Sequence, residues 1–324
     1  MVNNLEEIIK NQLDKTLKET NLSALGTLYR GKVRDNYIRD NIRIIIATDR
    51  LSAFDRVITT IPFKGQMLNQ VSSFWFERTK DIVKNHLIDV PDPNVAIVHQ
   101  CDLIPIEMIV RAYITGTAWR NYAKGVATSG IKLPEGLKQN QKLDELLITP
   151  STKAEAGHDI YLSKNQILKN ELIEKEIYEE MEEAALKLFI FGEKHCKDNG
   201  LILVDTKYEF GLKDGELYVI DEIHTQDSSR FWILDTYEEN FEKGKDPEIL
   251  DKEIFRGWLM ETYPDIFPDI KPDQEIPPIS VDIKIELAKR YMRSYKKITG
   301  LEFQAEVANV EQRIMRNLKQ RKYI

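Results

Sequence analysis

The stretch LILVDTKYEFGLKDGELYVIDE, residues 201–222, decides the reading of the fold. Two runs of aliphatic, β-branched and aromatic residues flank Asp214-Gly215, a dipeptide that favours the left-handed backbone of a two-residue hairpin turn, so the segment reads as two antiparallel strands. Carboxylates at Asp205, Glu209, Asp221 and Glu222 crowd this hairpin beside apolar residues. Such crowding costs stability unless a cation lies between the acids. Mg²⁺ takes one or two protein carboxylates and fills its octahedron with water and phosphate oxygens, so two acids bracketing a hairpin suit an ATP site. A solvated, acid-rich sheet edge is the competing reading of the same residues. A strict two-residue turn pairs Glu209 with Ile220 and sets Glu222 on the Glu209 face, whereas a bulge or longer loop sets Asp221 there. The sequence leaves both registers open.

Upstream of the hairpin, Ile167, Leu168, Ile173, Ile177, Met181, Ala184, Ala185, Leu188 and Phe189 recur at helical spacing, and Asn199-Gly200 ends the segment. One or two long helices are expected over 165–199. Residues 119–163 show little periodicity and are too long for an idle connector, which points to substrate contacts. The runs VAIVHQ (95–100) and IEMIVRAYI (106–114) have strand composition, and Pro105 between them is the expected lobe boundary. Nearer the start, LYRGKVRDNYI (28–38) and IRIIIATD (42–49), separated by Asp40-Asn41, read as twisted antiparallel strands followed by a helix near 68–84. The predicted organisation is a mainly antiparallel β lobe over 1–104 and an α+β lobe over 105–324 that closes on helices. Residues 242–280, with six prolines and many acids, read as an extended excursion.

The chain has 324 residues, with 46 Lys and Arg against 53 Asp and Glu, a formal charge of −7. That balance argues against a nucleic-acid polymer as partner, because such binding needs a basic surface to displace counterions. Residues 284–324 reverse the local sign with eleven Lys and Arg against four Glu, and read as the solvated face of terminal helices that turn Leu287, Tyr291 and Tyr295 inward. No apolar run is long enough to cross a bilayer, and the first twenty residues form an amphipathic helix pattern rather than a secretion signal. Cys101 and Cys196 are far apart and offer neither a disulfide framework nor a zinc site. A cytoplasmic protein is expected.

Gly26 to Lys32 has the phosphate-loop spacing G-x-x-x-x-G-K, but Val33 stands where that loop needs a metal-binding hydroxyl, and VRDNYI continues as a strand instead of opening a helix. A hairpin turn folded over a nucleotide is the better reading, with Lys32 and Arg34 offering charge to phosphates. The segments ATDRLSAFD (47–55), RAYITGTAW (111–119), TPSTKAEAGHD (149–159) and DSSRFW (227–232) each set Arg, Lys, Ser or Thr beside glycine or an aromatic, as sites for small anions do. Each singly also suits a capped turn. No Ser-His-Asp or Cys-His order stands out, and no two histidines have metal-ligand spacing.

Together RGKVRD (30–35), ATDRLSAFD, KGQMLNQVSSFWF (64–76), RAYITGTAW, TPSTKAEAGHD, LVDTKYEFG (203–211) and DEIHTQDSSRFW (221–232) stand in the order found in one family. From about residue 25 to its end the chain resembles the SAICAR synthetases, most closely their longer form. The resemblance implies an α+β, two-lobed fold related to kinases and ATP-grasp proteins, with an ATP cleft between the lobes. It implies an ATP-dependent ligase of purine biosynthesis that joins L-aspartate to the carboxylate of CAIR, a carboxylated aminoimidazole ribonucleotide, through an acyl phosphate. Carried over by motif, Gly31, Lys32, Val33 and Arg34 line the ATP phosphates, and Glu209 and Asp221 hold Mg²⁺, an expectation that favours the bulged register. Arg111, Thr117, Ser229 and Arg230 bind the CAIR phosphate, Lys207 reaches the phosphates or the acyl phosphate, and Asp55, Lys153, His158 and Asp159 lie near CAIR or aspartate. A monomer is favoured. A small-molecule kinase of similar architecture and a non-catalytic nucleotide-binding regulator are the alternatives. The chain departs from the family pattern at Phe63 and Ala112, where glycine is common, and at Gln226, where proline is usual.

Overall fold

The computed structural model describes residues 2–153, 160–250, 252–271 and 273–324. In chain order the elements open with α1 (Val2–Gln12), β1 (Thr27–Arg30), β2 (Arg34–Arg39), β3 (Ile42–Ala47), β4 (Arg50–Ala53), β5 (Arg56–Thr60) and α2 (Lys64–Thr79). There follow β6 (Leu87–Asp92), β7 (Val95–His99), β8 (Asp102–Tyr113), α3 (Gly116–Ala123), β9 (Lys142–Ile148), β10 (Ser151–Thr152), α4 (Lys164–Lys169) and α5 (Lys175–Asp198). The chain closes with β11 (Leu201–Lys213), β12 (Glu216–Ile220), β13 (Ser229–Ile233), α6 (Leu234–Glu242), α7 (Glu253–Thr262), α8 (Val281–Thr299) and α9 (Val310–Gln320).

These elements form two compact units: Met1–Phe74 with Leu87–Gln100 and Leu250–Ile324, and Trp75–His86 with Cys101–Ile249. The first unit holds an antiparallel sheet in the order β1-β2-β3-β7-β6. Ile44 and Ile46 of β3 point to one face of it, where they join Tyr37, Val95 and Ile97 in a core completed by Val310, Ile314 and Leu318 of α9. Ile45, on the other face, packs with Ala96 and Val98. In α8, Ser280 caps the N-terminus by accepting from the Ile283 N–H, Gly300 ends the helix at φ 76°, and Leu287, Tyr291 and Tyr295 are buried, so the basic tail is a solvated helix face.

Two expectations change. Pro105 lies inside β8, and the break falls at Gln100–Cys101. The C-terminal residues return to the first unit because the apolar stripe of α9 supplies core that the N-terminal sheet lacks. Residues 242–280 are not extended throughout: α7 buries Phe255 and Leu259, Phe267 meets Phe54 with ring centroids 5.3 Å apart, and Arg56 donates to the Lys271 and Gln274 carbonyls.

The second unit is built on β11, whose thirteen residues pair with β8 along one edge and with β13 and then β12 along the other. β9 and β10 pair with the far edge of β8, so residues 119–163 contribute strands as well as loops. A bulge between Leu203 and Asp205 shifts the alternation of β11. Leu203 therefore reaches Gly192 of α5, while Asp205, Lys207 and Glu209 share the opposite face with Arg111, Ile109 and Glu107 of β8. The β11–β12 hairpin has the strict two-residue turn, Asp214 and Gly215 at φ 54° and 80°, and Glu209 opposite Ile220. The bulged register is thus overturned: both turn residues adopt the left-handed backbone that closes a two-residue loop. Strand alternation does not place Asp221, because β12 ends at Ile220 and Asp221 turns away at φ 65°.

Candidate active site

The charged face of the second unit's sheet is ordered along β11. At one end Asp205, opposite Arg111 on β8 and Arg230 on β13, accepts from Arg111 Nη1 at 2.9 Å and Arg230 Nη1 at 2.5 Å. Arg111 is buried and further held by Thr149 Oγ1 (3.0 Å) and the Tyr161 hydroxyl (3.2 Å). Two guanidinium groups against one carboxylate leave this end net cationic. Gly116, at φ 54° where α3 begins, admits the Arg230 guanidinium so closely that an added Cβ would lie 2.7–3.0 Å from it. Ser229 adds a buried hydroxyl, 2.7 Å from Thr206 Oγ1, and the Thr117 hydroxyl accepts from Arg120 at 2.7 Å.

Four residues along β11 lies a second cluster, in which two acids meet two lysines. Glu209 stands opposite Glu107, and both carboxylates are buried. Between the two ends Lys207 Nζ donates to Glu107 Oε1 (2.5 Å) and Glu209 Oε1 (3.0 Å), and Lys153 bonds the second Glu209 oxygen. Burial works against the Lys207 charge, but Glu209, Glu107 and Asp221 outweigh it and hold the ammonium pKa above the usual lysine value. Lys207 is therefore a fixed cation at neutral pH. Among the described residues no three His, Cys, Asp or Glu side chains converge as a metal-holding group. Two hard carboxylates suffice for Mg²⁺ that also carries phosphate and water, and each ionised carboxylate keeps lone pairs beyond one lysine bond, so the donor set fits that ion.

Behind this face lies a buried aromatic and histidine cluster. His224, at φ 46°, sits with its Nε2 2.5 Å from the Tyr208 hydroxyl, its ring 4.7 Å from that of Trp75, and its Cε1 where a Cβ on Gly192 would be 2.3 Å away. Burial, reinforced by His195, lowers its pKa to about 3, so the ring is neutral. Among the described residues His224 Nδ1 has no hydrogen-bond partner.

In the first unit the turn at Gly31–Arg34 joins β1 to β2. The Lys32 ammonium and the Asp55 carboxylate form an ion pair, both about half exposed, which joins one residue expected at ATP to one expected near the substrates. His158 and Asp159 lie outside the described residues. Each unit thus gathers its own share of the expected residues: Gly31, Lys32, Val33, Arg34 and Asp55 in the first; Arg111, Thr117, Lys153, Lys207, Glu209, Asp221, Ser229 and Arg230 in the second.

Glu107, Arg50 and Asp205 carry no individual role in the sequence pattern, yet all three are buried in charged networks. A lone acid in the apolar run IEMIV was the available signal for Glu107, since an unpaired carboxylate rarely survives inside a strand. Arg50 stands within ATDRLSAFD, but nothing in the sequence marks it as buried.

The SAICAR synthetase family model matches residues 27–269. A phosphoribosylaminoimidazole-succinocarboxamide synthase of Legionella pneumophila (strain Paris) is 44% identical over 311 residues, covering 94% of this chain and 97% of the relative. The chain belongs to the SAICAR synthetase family. SAICAR synthetases are ATP-dependent carbon–nitrogen ligases of purine biosynthesis, and this chain is one of them. The SAICAR-synthase of Saccharomyces cerevisiae, solved in complex with SAICAR, is 33% identical with a TM-score of 0.77, over 89% of this chain and 100% of that one. A type-2 SAICAR synthetase solved with ADP shares the fold, at 24% identity and a TM-score of 0.66 over 86% of this chain and 100% of that one. Among the described residues of this SAICAR synthetase, no helix is long and apolar enough to cross a membrane.

Proposed function

We propose that the charged face of the second unit's sheet binds CAIR lengthwise, its phosphate on Arg111, Arg230, Ser229 and Thr117 and its carboxylate toward Lys207 and Lys153, while Gly31, Lys32, Val33 and Arg34 receive the phosphates of ATP. The observation that carries this reading is a pair of cations set on a carboxylate at each end of the charged stretch of β11. Asp205 with its two arginines and Glu209 with its two lysines are four residues apart, about 13 Å at the usual strand rise. CAIR is an anion at both ends, and a planar guanidinium fork suits a phosphate where a compact ammonium suits a carboxylate undergoing reaction. The SAICAR held by the yeast relative has the same ribonucleotide phosphate.

A carboxylate does not form an amide with an amine at neutral pH, so it is activated first. One carboxylate oxygen of CAIR bonds to the γ-phosphorus of ATP as the bond from that phosphorus to the β,γ-bridging oxygen breaks and ADP leaves. The neutral amine of aspartate then attacks the acyl carbon, inorganic phosphate departs with that oxygen, and the nitrogen loses a proton. Phosphoryl transfer depends chiefly on positioning and charge neutralisation. Lys207, held charged by three acids, offsets negative charge where carboxylate and phosphoryl group approach. Glu209 and Asp221 would hold Mg²⁺, which supplies further neutralisation of the polyphosphate. Asp55, His158 and Asp159 are assigned to the neighbourhood of CAIR or aspartate by motif. A cytoplasmic monomer is part of the same proposal.

The test is an assay of ADP formation with ATP, Mg²⁺, CAIR and aspartate, omitting one at a time. ADP release that requires CAIR, with SAICAR formed only when aspartate is present, is the expected result. ADP release with an unrelated acceptor and none with CAIR would sink the reading.

A further inference from the structure

Arg50 makes no contact assigned above to a substrate, yet its buried guanidinium reaches the back of the Gly31–Arg34 turn. Nε donates to the Lys32 carbonyl at 2.9 Å, Nη2 to the Gly31 carbonyl at 3.0 Å and to Asp35 Oδ1 at 2.8 Å, and Nη1 to the Lys18 carbonyl at 2.5 Å. Thr48 takes the Val33 carbonyl with its N–H (3.1 Å) and its hydroxyl (2.7 Å), and the Gly31 N–H takes the Arg34 carbonyl (2.8 Å). All four carbonyls of the turn are thereby bonded from within the first unit. A trans peptide is planar, so a carbonyl drawn one way sends the N–H of the next residue the other way. The Gly31 and Lys32 carbonyls are drawn to Arg50, which turns the Lys32 and Val33 N–H groups away from it. Among the described residues those two N–H groups make no hydrogen bond. Successive backbone N–H groups aimed outward form an anion-binding concavity.

We propose that Arg50 is a positioning residue: by holding the Gly31 and Lys32 carbonyls it presents the Lys32 and Val33 N–H groups to nucleotide phosphate. The proposal rests on the assignment of this turn to ATP. It also accounts for Val33 at the position where a phosphate loop carries a hydroxyl, because here the backbone, and not that side chain, faces the ligand. Lysine cannot replace Arg50, since a single ammonium cannot span three carbonyls and a carboxylate that the planar fork reaches from fixed directions.

The test compares the wild-type chain with Arg50→Lys and Thr48→Val, measuring ADP binding by calorimetry with Mg²⁺ and the KM of each substrate. Arg50→Lys is expected to weaken ADP binding and raise the KM for ATP by about tenfold or more, with the KM for CAIR within about twofold, and Thr48→Val by about two- to fivefold. A folded Arg50→Lys that binds ADP within twofold of wild type, or that raises all three KM values alike, overturns the proposal. If Arg50→Lys does not fold, Thr48→Val decides, and an unchanged ADP affinity there overturns it. A wild-type chain that binds CAIR but neither ADP nor ATP would instead bring down the nucleotide assignment, and this inference with it.

Discussion

In the proposed site the groups that the Gly31–Arg34 turn offers to an anion are its backbone N–H dipoles, set by hydrogen bonds made behind them. On the sheet face from Asp205 to Glu209 they are side chains on alternate residues, set by strand register and ion pairs. The first arrangement tolerates changes in the residues that meet the ligand and depends on those that do not. The second has the opposite sensitivity. That contrast explains why the turn resembles a phosphate loop in spacing while failing it in residue type, whereas the sheet face announces itself through its charges.

Glu209→Gln breaks the sheet side most severely. It keeps the shape of the side chain but removes the charge that Lys153 and Lys207 share, and kcat should fall by about 10²–10³-fold in steady-state assays. Arg230→Ala should raise the KM for CAIR by about thirty- to a hundredfold and leave the KM for ATP nearly unchanged, since a charge-assisted phosphate contact contributes about 2–3 kcal/mol. A similar rise in both KM values would erase the division of labour between turn and sheet.

The sheet face is also braced from behind by Tyr208 and His224, and pH exposes this support. His224 stays neutral in the folded chain down to about pH 3, whereas in the unfolded chain it takes up a proton near pH 6.5. Its contribution to stability is full above pH 6.5 and is lost as pH falls, by about 2 kcal/mol between pH 7.5 and 5. Asp49, whose pKa burial raises to about 6, acts with the opposite sign over part of this range but is common to both chains compared. Urea unfolding at the two pH values should show the His224 loss in the wild type and its absence in His224→Gln.

Smaller effects remain. Gln226 is buried with both amide atoms unbonded among the described residues, so Gln226→Pro, which restores the residue usual in the family, should stabilise the chain by about 1 kcal/mol, read as a rise in Tm. Lys32→Ala should raise the KM for ATP only about two- to threefold, because the exposed ammonium adds little to what the backbone provides. A loss as large as that of Arg50→Lys would place the turn in the same class as the sheet face.

Much of this was legible from residue order. Asp214-Gly215 located the hairpin, the Ile42–Ala47 run gave the central strand of the first sheet, and the spacing of apolar residues gave α5. Seven motifs in family order gave the activity. What stayed hidden depends on single backbone angles or on distant chain. The bulge between Leu203 and Asp205, which sets Asp205 against both arginines, has no composition signal, and neither has the left-handed turn that takes Asp221 out of strand alternation. Phe63 adopts φ 65° where the family commonly has glycine, a conformation that the residue type argues against. Pro105 looked like punctuation, yet β8 accommodates it, and the true division follows α9 back to the first sheet.

The central claim is that the CAIR carboxylate is activated by phosphoryl transfer on the charged face of β11. CAIR with ¹⁸O in both carboxylate oxygens, turned over with ATP and aspartate, tests it most directly by mass analysis of the products. The account predicts one ¹⁸O in the inorganic phosphate and one retained in the new amide of SAICAR, at a rate that Glu209→Gln lowers by the same factor as kcat. Phosphate released without ¹⁸O would contradict it.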